Sequence, residues 1–140
     1  MSNITMKSFI NESNIPAPLI RAVVKQSGGW DSFQEMARDV AAHGADAGFS
    51  GWIYYRETME FFRKNRRTIL EYAEEMAQDL GENVLSMIQG FGIFRDAPID
   101  TQDLAKALYA GKGPEVATVY NIMAWFALEE VARAYDNLND

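Results

Sequence analysis

The chain of 140 residues contains no cysteine and a single histidine, His43. The first absence removes disulfides, thiolate metal sites and cysteine nucleophiles from consideration, and it fits a reducing cytoplasm. The second removes most histidine chemistry. No Glu-x-x-His pair is present for a di-metal helical bundle, and no second histidine for a catalytic triad. Cations are also scarce, with 13 Lys and Arg against 20 Asp and Glu, a net charge of -7 and a pI near 4.7. A surface of that sign disfavours general affinity for nucleic acid, whose phosphates need basic groups to release counterions. Long apolar runs are missing too. No window approaches the 18 apolar residues of a membrane span, and Met1 to Lys7 lack the apolar core and small-residue cleavage site of a signal peptide. The expected setting is the cytoplasm of a host cell, without a membrane partner.

What is present is helix pattern. With 48% hydrophobic and 24% charged residues the chain reads as one folded domain spanning 1–140, with residues 1–14 either a flexible arm or a short first element. Pro16 and Pro18 introduce a helix over about 17–27, where Leu19, Ile20, Val23 and Val24 share one face before Gly28-Gly29. Asp31 is placed as an N-cap, with Gln34 as its capping-box partner and Trp30 as a staple, for a helix over about 32–43 that buries Phe33, Met36, Ala37 and Val40. His43 ends it, and Gly44 can supply a left-handed cap.

From Tyr55 to Leu80 the pattern is again helical, and Ile69, Tyr72, Ala73, Met76, Ala77 and Leu80 recur at spacings of three and one. Arg63, Lys64, Arg66 and Arg67 interrupt it around Asn65. Cations are favoured at a helix C-terminus and disfavoured at an N-terminus, so the cluster points to two helices, one ending near 64 and one capped by Asn65. Further helices are expected over about 82–90 and 101–110, the latter introduced by Asp100 with Leu104, Ala107 and Leu108 inward. A last helix over about 114–138 is apolar almost all round and is read as central. A carboxylate in it, Glu129 or Glu130, needs a buried arginine or tyrosine as partner. The fold class is an all-α, irregular single-domain bundle of six or seven helices.

Candidate chemistry is sparse. His43, Asp46 and Tyr54 form a possible acid-base set in a glycine-bounded turn, with helix capping by His43 and turn capping by Asp46 as the plainer reading. Gly48-Phe49-Ser50-Gly51 departs from the nucleophile elbow because its second glycine comes one residue early. Lys112 between Gly111 and Gly113 is no phosphate loop. No catalytic, cofactor or metal ligand set is assigned.

The cluster Arg63 to Arg67 could contact DNA phosphates, but Glu71, Glu74, Glu75, Asp79 and Glu82 follow it with no intervening base, which suits local pairing on a solvated face. Protein binding is the remaining class. Trp52, Tyr54, Tyr55, Phe61 and Phe62 exceed what one helix face can bury, and Trp, Tyr and Arg dominate interface hot spots. The candidate partner-binding residues are therefore Trp52, Tyr54, Tyr55, Arg63, Lys64, Arg66, Arg67, Glu71, Glu74 and Glu75. The last third concentrates the acid, with three cations against eight carboxylates over 96–140, and an acidic surface selects a basic partner.

The stretch His43 to Tyr55, with Thr58, Phe61-Phe62, Leu108-Tyr109 and Tyr120 to Ala132, resembles an uncharacterised helical family found in phages and plasmids. The resemblance covers roughly residues 30–135 and carries over no functional residue. It implies a mobile-element setting, in which small acidic proteins often block host defences. In size and charge the chain is similar to anti-CRISPR proteins. The expectation is a non-enzymatic inhibitor that binds a CRISPR-Cas effector or its nuclease, with a homodimer left open. A small enzyme built on His43, Asp46 and Tyr54, and a DNA-binding regulator using Arg63 to Arg67, are the alternatives.

Overall fold

The computed structural model describes residues 4–44, 55–90 and 99–139. Among them are eight helices and no strand: α1 (Met6–Glu12), α2 (Ala17–Gln26), α3 (Trp30–His43), α4 (Tyr55–Lys64), α5 (Arg66–Asp79), α6 (Val84–Gln89), α7 (Thr101–Ala105) and α8 (Val116–Asn139). A π-helical turn, Lys106–Ala110, continues directly from α7.

The first dozen residues hold a helix. Thr5 and Ser8 form a reciprocal capping box, each side chain accepting from the other's backbone N–H at 3.1 Å. That start is stabilised from inside the core as well, because Phe9 on α1 is fully buried. It packs with Trp30, Phe33 and Tyr135, and all six ring pairs have centroids between 5.5 and 6.0 Å apart. Each such pair contributes on the order of 0.5–1.5 kcal/mol beyond its area burial. The cluster ties α1, α3 and α8 together.

Helix α3 begins two residues earlier than the spacing suggests, and Asp31 is not its N-cap. Gly29, at φ 120°, is its N-cap, and Asp31 lies in the first turn, where a carboxylate meets the positive end of the helix dipole. Trp30 is the first helical residue, which points its ring at Phe9 and Phe33.

Helix α8 is the axis of the domain. It packs chiefly on α3 and α4, with α2 and the π turn beside them. Ile122, Met123 and Ala124, and then Phe126, Ala127 and Leu128, are buried in consecutive runs. Three successive helical residues sweep most of the circumference, so neighbours surround α8 through its middle. Fully burying one such Leu, Met or Phe side chain contributes about 1.5–3 kcal/mol. A polar contact crosses this core where the buried Thr58 hydroxyl of α4 donates to the Asn121 side-chain oxygen.

The carboxylate expected to need a partner in α8 has one. Glu130 is hydrogen-bonded to Tyr72 on α5, whose ring lies 6.0 Å from that of Phe126. Burial, and then the neighbouring Glu129 carboxylate, push the Glu130 carboxyl above its usual range, against opposing effects of Arg133 and the Tyr72 bond. Tyr72 is pushed up to about 12, by burial first and then by Glu130.

Candidate functional site

The four cations around Asn65 sit where α4 gives way to α5. Arg63 and Lys64 occupy the last turn of α4, at the favourable end of its dipole. Asn65 breaks the helix at φ -113°, but it does not cap α5: its amide Nδ2 donates back to the Phe61 carbonyl at 2.9 Å and finishes α4 instead. Helix α5 therefore starts with Arg66 and Arg67 at its electropositive end and no side-chain cap.

Arg66 escapes that repulsion by reaching across the fold. Its guanidinium donates to the Leu108 carbonyl at 2.7 Å and to the Tyr109 carbonyl, both in the π turn, and lies 5.9 Å from the centroid of the Tyr120 ring. Tyr120 in turn packs on Phe62 at 4.8 Å. The chain leaves the π turn through Gly111 in the left-handed region at φ 66°, where an added Cβ would stand 2.9 Å from the Tyr120 hydroxyl. A side chain there would press on that hydroxyl and hold a backbone conformation that favours glycine. The result is a fixed corner: α4, α5, the π turn and α8 meet around one guanidinium.

This corner forms an open cleft of about 560 Å³ lined by Arg63, Lys64, Arg66, Arg67, Leu70, Glu71, Glu74 and Tyr109. Arg67, Leu70, Glu71 and Glu74 follow the spacing of a single helix face. Tyr109 is an exposed large aromatic, with 46% of its surface open. Its phenol is pushed up from the ordinary tyrosine value by partial burial first and by the nearby Glu74 carboxylate second. Of the charged groups, Arg63 pairs with Glu60, Arg67 pairs with Glu71 at 3.1 Å, and Arg66 is spent on backbone carbonyls. Lys64 and Glu74 have no ion-pair partner among the described residues. The exposed pairs contribute little to stability, about 0–1 kcal/mol each, so a partner can exchange them at low cost.

A family model described as a domain of unknown function, DUF7222, matches residues 5–139. The chain belongs to this family. No curated protein and no solved structure matches it. The DUF7222 match takes in every helix from α1 to α8, the cleft included, and fits the uncharacterised family that the sequence resembles.

Within this DUF7222 domain, six of the expected partner-binding residues, Arg63, Lys64, Arg66, Arg67, Glu71 and Glu74, line one cleft. Glu75 does not; it lies toward Tyr72, whose pKa it helps raise. Trp52 and Tyr54 fall outside the described residues, and Tyr55 is the first residue of α4. Phe61 and Phe62, expected as surplus aromatics for recognition, are core residues at 3% and 0% exposure. Two adjacent aromatics both find cover because α4 packs directly on α8.

Tyr109 was not singled out by pattern as a site residue. Its exposure depends on the π turn, whose carbonyls are held by an arginine more than forty positions earlier.

Among the alternative candidates, His43 ends α3 and is exposed, while Asp46 and Tyr54 lie outside the described residues. A smaller groove of about 370 Å³ lies beside it, lined by Val40, Ala41, Gly44, Ala132, Arg133, Asp136 and Asn137. Among the described residues no three His, Asp or Glu side chains gather as a metal site, and no helix is long and apolar enough to cross a membrane.

Proposed function

We propose that the protein is a non-enzymatic inhibitor that acts by binding another protein. In its specific form it is an anti-CRISPR of a mobile element, working in the host cytoplasm by contacting a CRISPR-Cas effector complex or its nuclease and blocking DNA binding or cleavage. One observation carries the reading: Tyr109, nearly half exposed, is fixed on the lip of a cleft lined by charged side chains of both signs. A rigid aromatic among charges that are only loosely paired is the composition of an interface hot spot. The net charge of -7 favours a basic partner, such as a protein that handles nucleic acid and whose phosphate sites an acidic surface can occupy. The resemblance to phage and plasmid proteins supplies the setting.

Direct DNA contact through Arg63 to Arg67 fits the cleft less well. Arg66 is turned into the fold, and Glu71 and Glu74 on the same lining repel phosphate.

The test is capture of purified effector complexes on the immobilised full chain, with and without target DNA. Retention of at least one complex, lost when target DNA is bound first or blocking its DNA binding or cleavage, is the expected result. Failure of every complex to bind overturns the CRISPR assignment.

A further inference from the structure

The cleft is not uniform along its length. Its α4 end carries Arg63 and Lys64, whereas Glu71 and Glu74 lie one and two turns along α5 from Arg67. At about 1.5 Å per residue, Arg67 and Glu74 stand roughly 10 Å apart along the helix. Glu74 is the lining carboxylate with no ion pair among the described residues, and it lines the same cleft as the exposed Tyr109, near enough for its charge to raise the phenol pKa. The Tyr109 backbone is tied to the fold on both sides, by the Arg66 bond to its carbonyl and by the close approach of Gly111 to the Tyr120 hydroxyl. An exposed aromatic ring and an unpaired carboxylate on the lining of one cleft offer two different attractions to one group. A planar guanidinium can lie on the ring and bond the carboxylate in its own plane, which a compact, strongly hydrated ammonium cannot do.

We propose that Tyr109 and Glu74 form an arginine-recognition point, at which a guanidinium of a basic protein partner stacks on the Tyr109 ring and pairs with the Glu74 carboxylate. This rests on the reading of the protein as a protein binder and names the group that the cleft takes. The neighbouring Lys64 then meets an acidic or carbonyl group of the same partner, which fixes the direction in which the partner crosses the cleft. The raised phenol pKa keeps Tyr109 neutral well above physiological pH, so the ring face remains available to a cation.

The experiment titrates the isotope-labelled full chain with two peptides of equal length and charge, one of alternating glycine and arginine and one of alternating glycine and lysine, at one ionic strength. The arginine peptide is expected to bind roughly 2- to 5-fold more tightly than the lysine peptide, with amide shifts centred on Tyr109 and Glu74. Tyr109→Phe keeps that selectivity, Tyr109→Ala removes it at unchanged melting temperature, and Glu74→Gln weakens arginine binding. Equal affinities, or shifts spread over other acidic faces with Tyr109 undisturbed, overturn the proposal. Capture of an effector complex that survives both Tyr109→Ala and Glu74→Gln also overturns it and leaves the inhibitor reading standing. Arginine selectivity without capture of any complex has the opposite meaning.

Discussion

Near the C-terminal end of α8, Phe9, Trp30, Phe33 and Tyr135 lie with every ring centroid within 6.0 Å of the others, whereas near its N-terminal end Tyr120 faces Phe62 and a guanidinium, and Tyr109 stays exposed. The first group is closed by apolar contact, with one hydrogen bond, from Gln34 to the Tyr135 hydroxyl at 2.9 Å, satisfying its polar tip. The second is organised by charge and backbone carbonyls. The same residue types therefore serve stability at one end of the helix and surface presentation at the other. What separates them is whether a neighbouring helix covers the ring.

The sharpest way to break this contrast is Phe9→Ala. Removing a fully buried ring from the four-ring cluster should cost about 3–5 kcal/mol in chemical denaturation. The matching change at the open end, Tyr109→Ala, should stay within about 0.5 kcal/mol. Comparable losses at the two positions would show that Tyr109 is part of the packed core.

Gly111→Ala should come next. It forces a Cβ to 2.9 Å from the Tyr120 hydroxyl at a left-handed backbone, so a loss of more than about 1 kcal/mol is expected. Unlike Phe9→Ala, it should also disturb amide signals of the π turn and of α5 near Arg66. An unstrained, fully stable variant would mean that the corner can open.

The smallest effect concerns pH and lies between the two ends, at Glu130. Its folded pKa is raised by burial and then by Glu129, offset by Arg133 and the Tyr72 bond, with Glu75 also facing Tyr72. A carboxyl with a raised folded pKa gives its full stabilisation below the unfolded value near 4.5 and loses it as pH rises through the folded value. The stability of Glu130→Gln relative to the natural chain should therefore improve from below pH 4.5 toward neutrality. A difference that stays flat over that range would show that the site does not raise the carboxyl's pKa.

Much of the fold was legible because it depends on local spacing. Leu19, Ile20, Val23 and Val24, and Phe33, Met36, Ala37 and Val40, are buried as their periodicity requires, and Leu104, Ala107 and Leu108 face inward. The break at Asn65 followed from the dipole argument about its cations. The need of Glu130 for a partner followed from its place in an apolar helix.

What escaped the sequence depends on distant residues. Helix α1 is held by the burial of Phe9 against rings far along the chain, and its capping box uses Ser8 in place of the usual Glu or Gln. Asn65 turns back to the Phe61 carbonyl, and the Arg66 guanidinium finds its acceptors on the π turn, more than forty positions further on. The π turn has no local signature. It is legible only once Arg66, Gly111 and Tyr120 are seen together, and the site residue Tyr109 rides on it.

The encirclement of α8 has a consequence in time as well as in space. Helices α3 and α4 have as their chief neighbour a segment made after them. During synthesis their apolar faces wait uncovered until the 24 residues of α8 have emerged, about 1–5 s of translation for that helix alone. The bundle is thus closed by one late event, and a nascent chain halted before Val116 exposes the surfaces that chaperones bind.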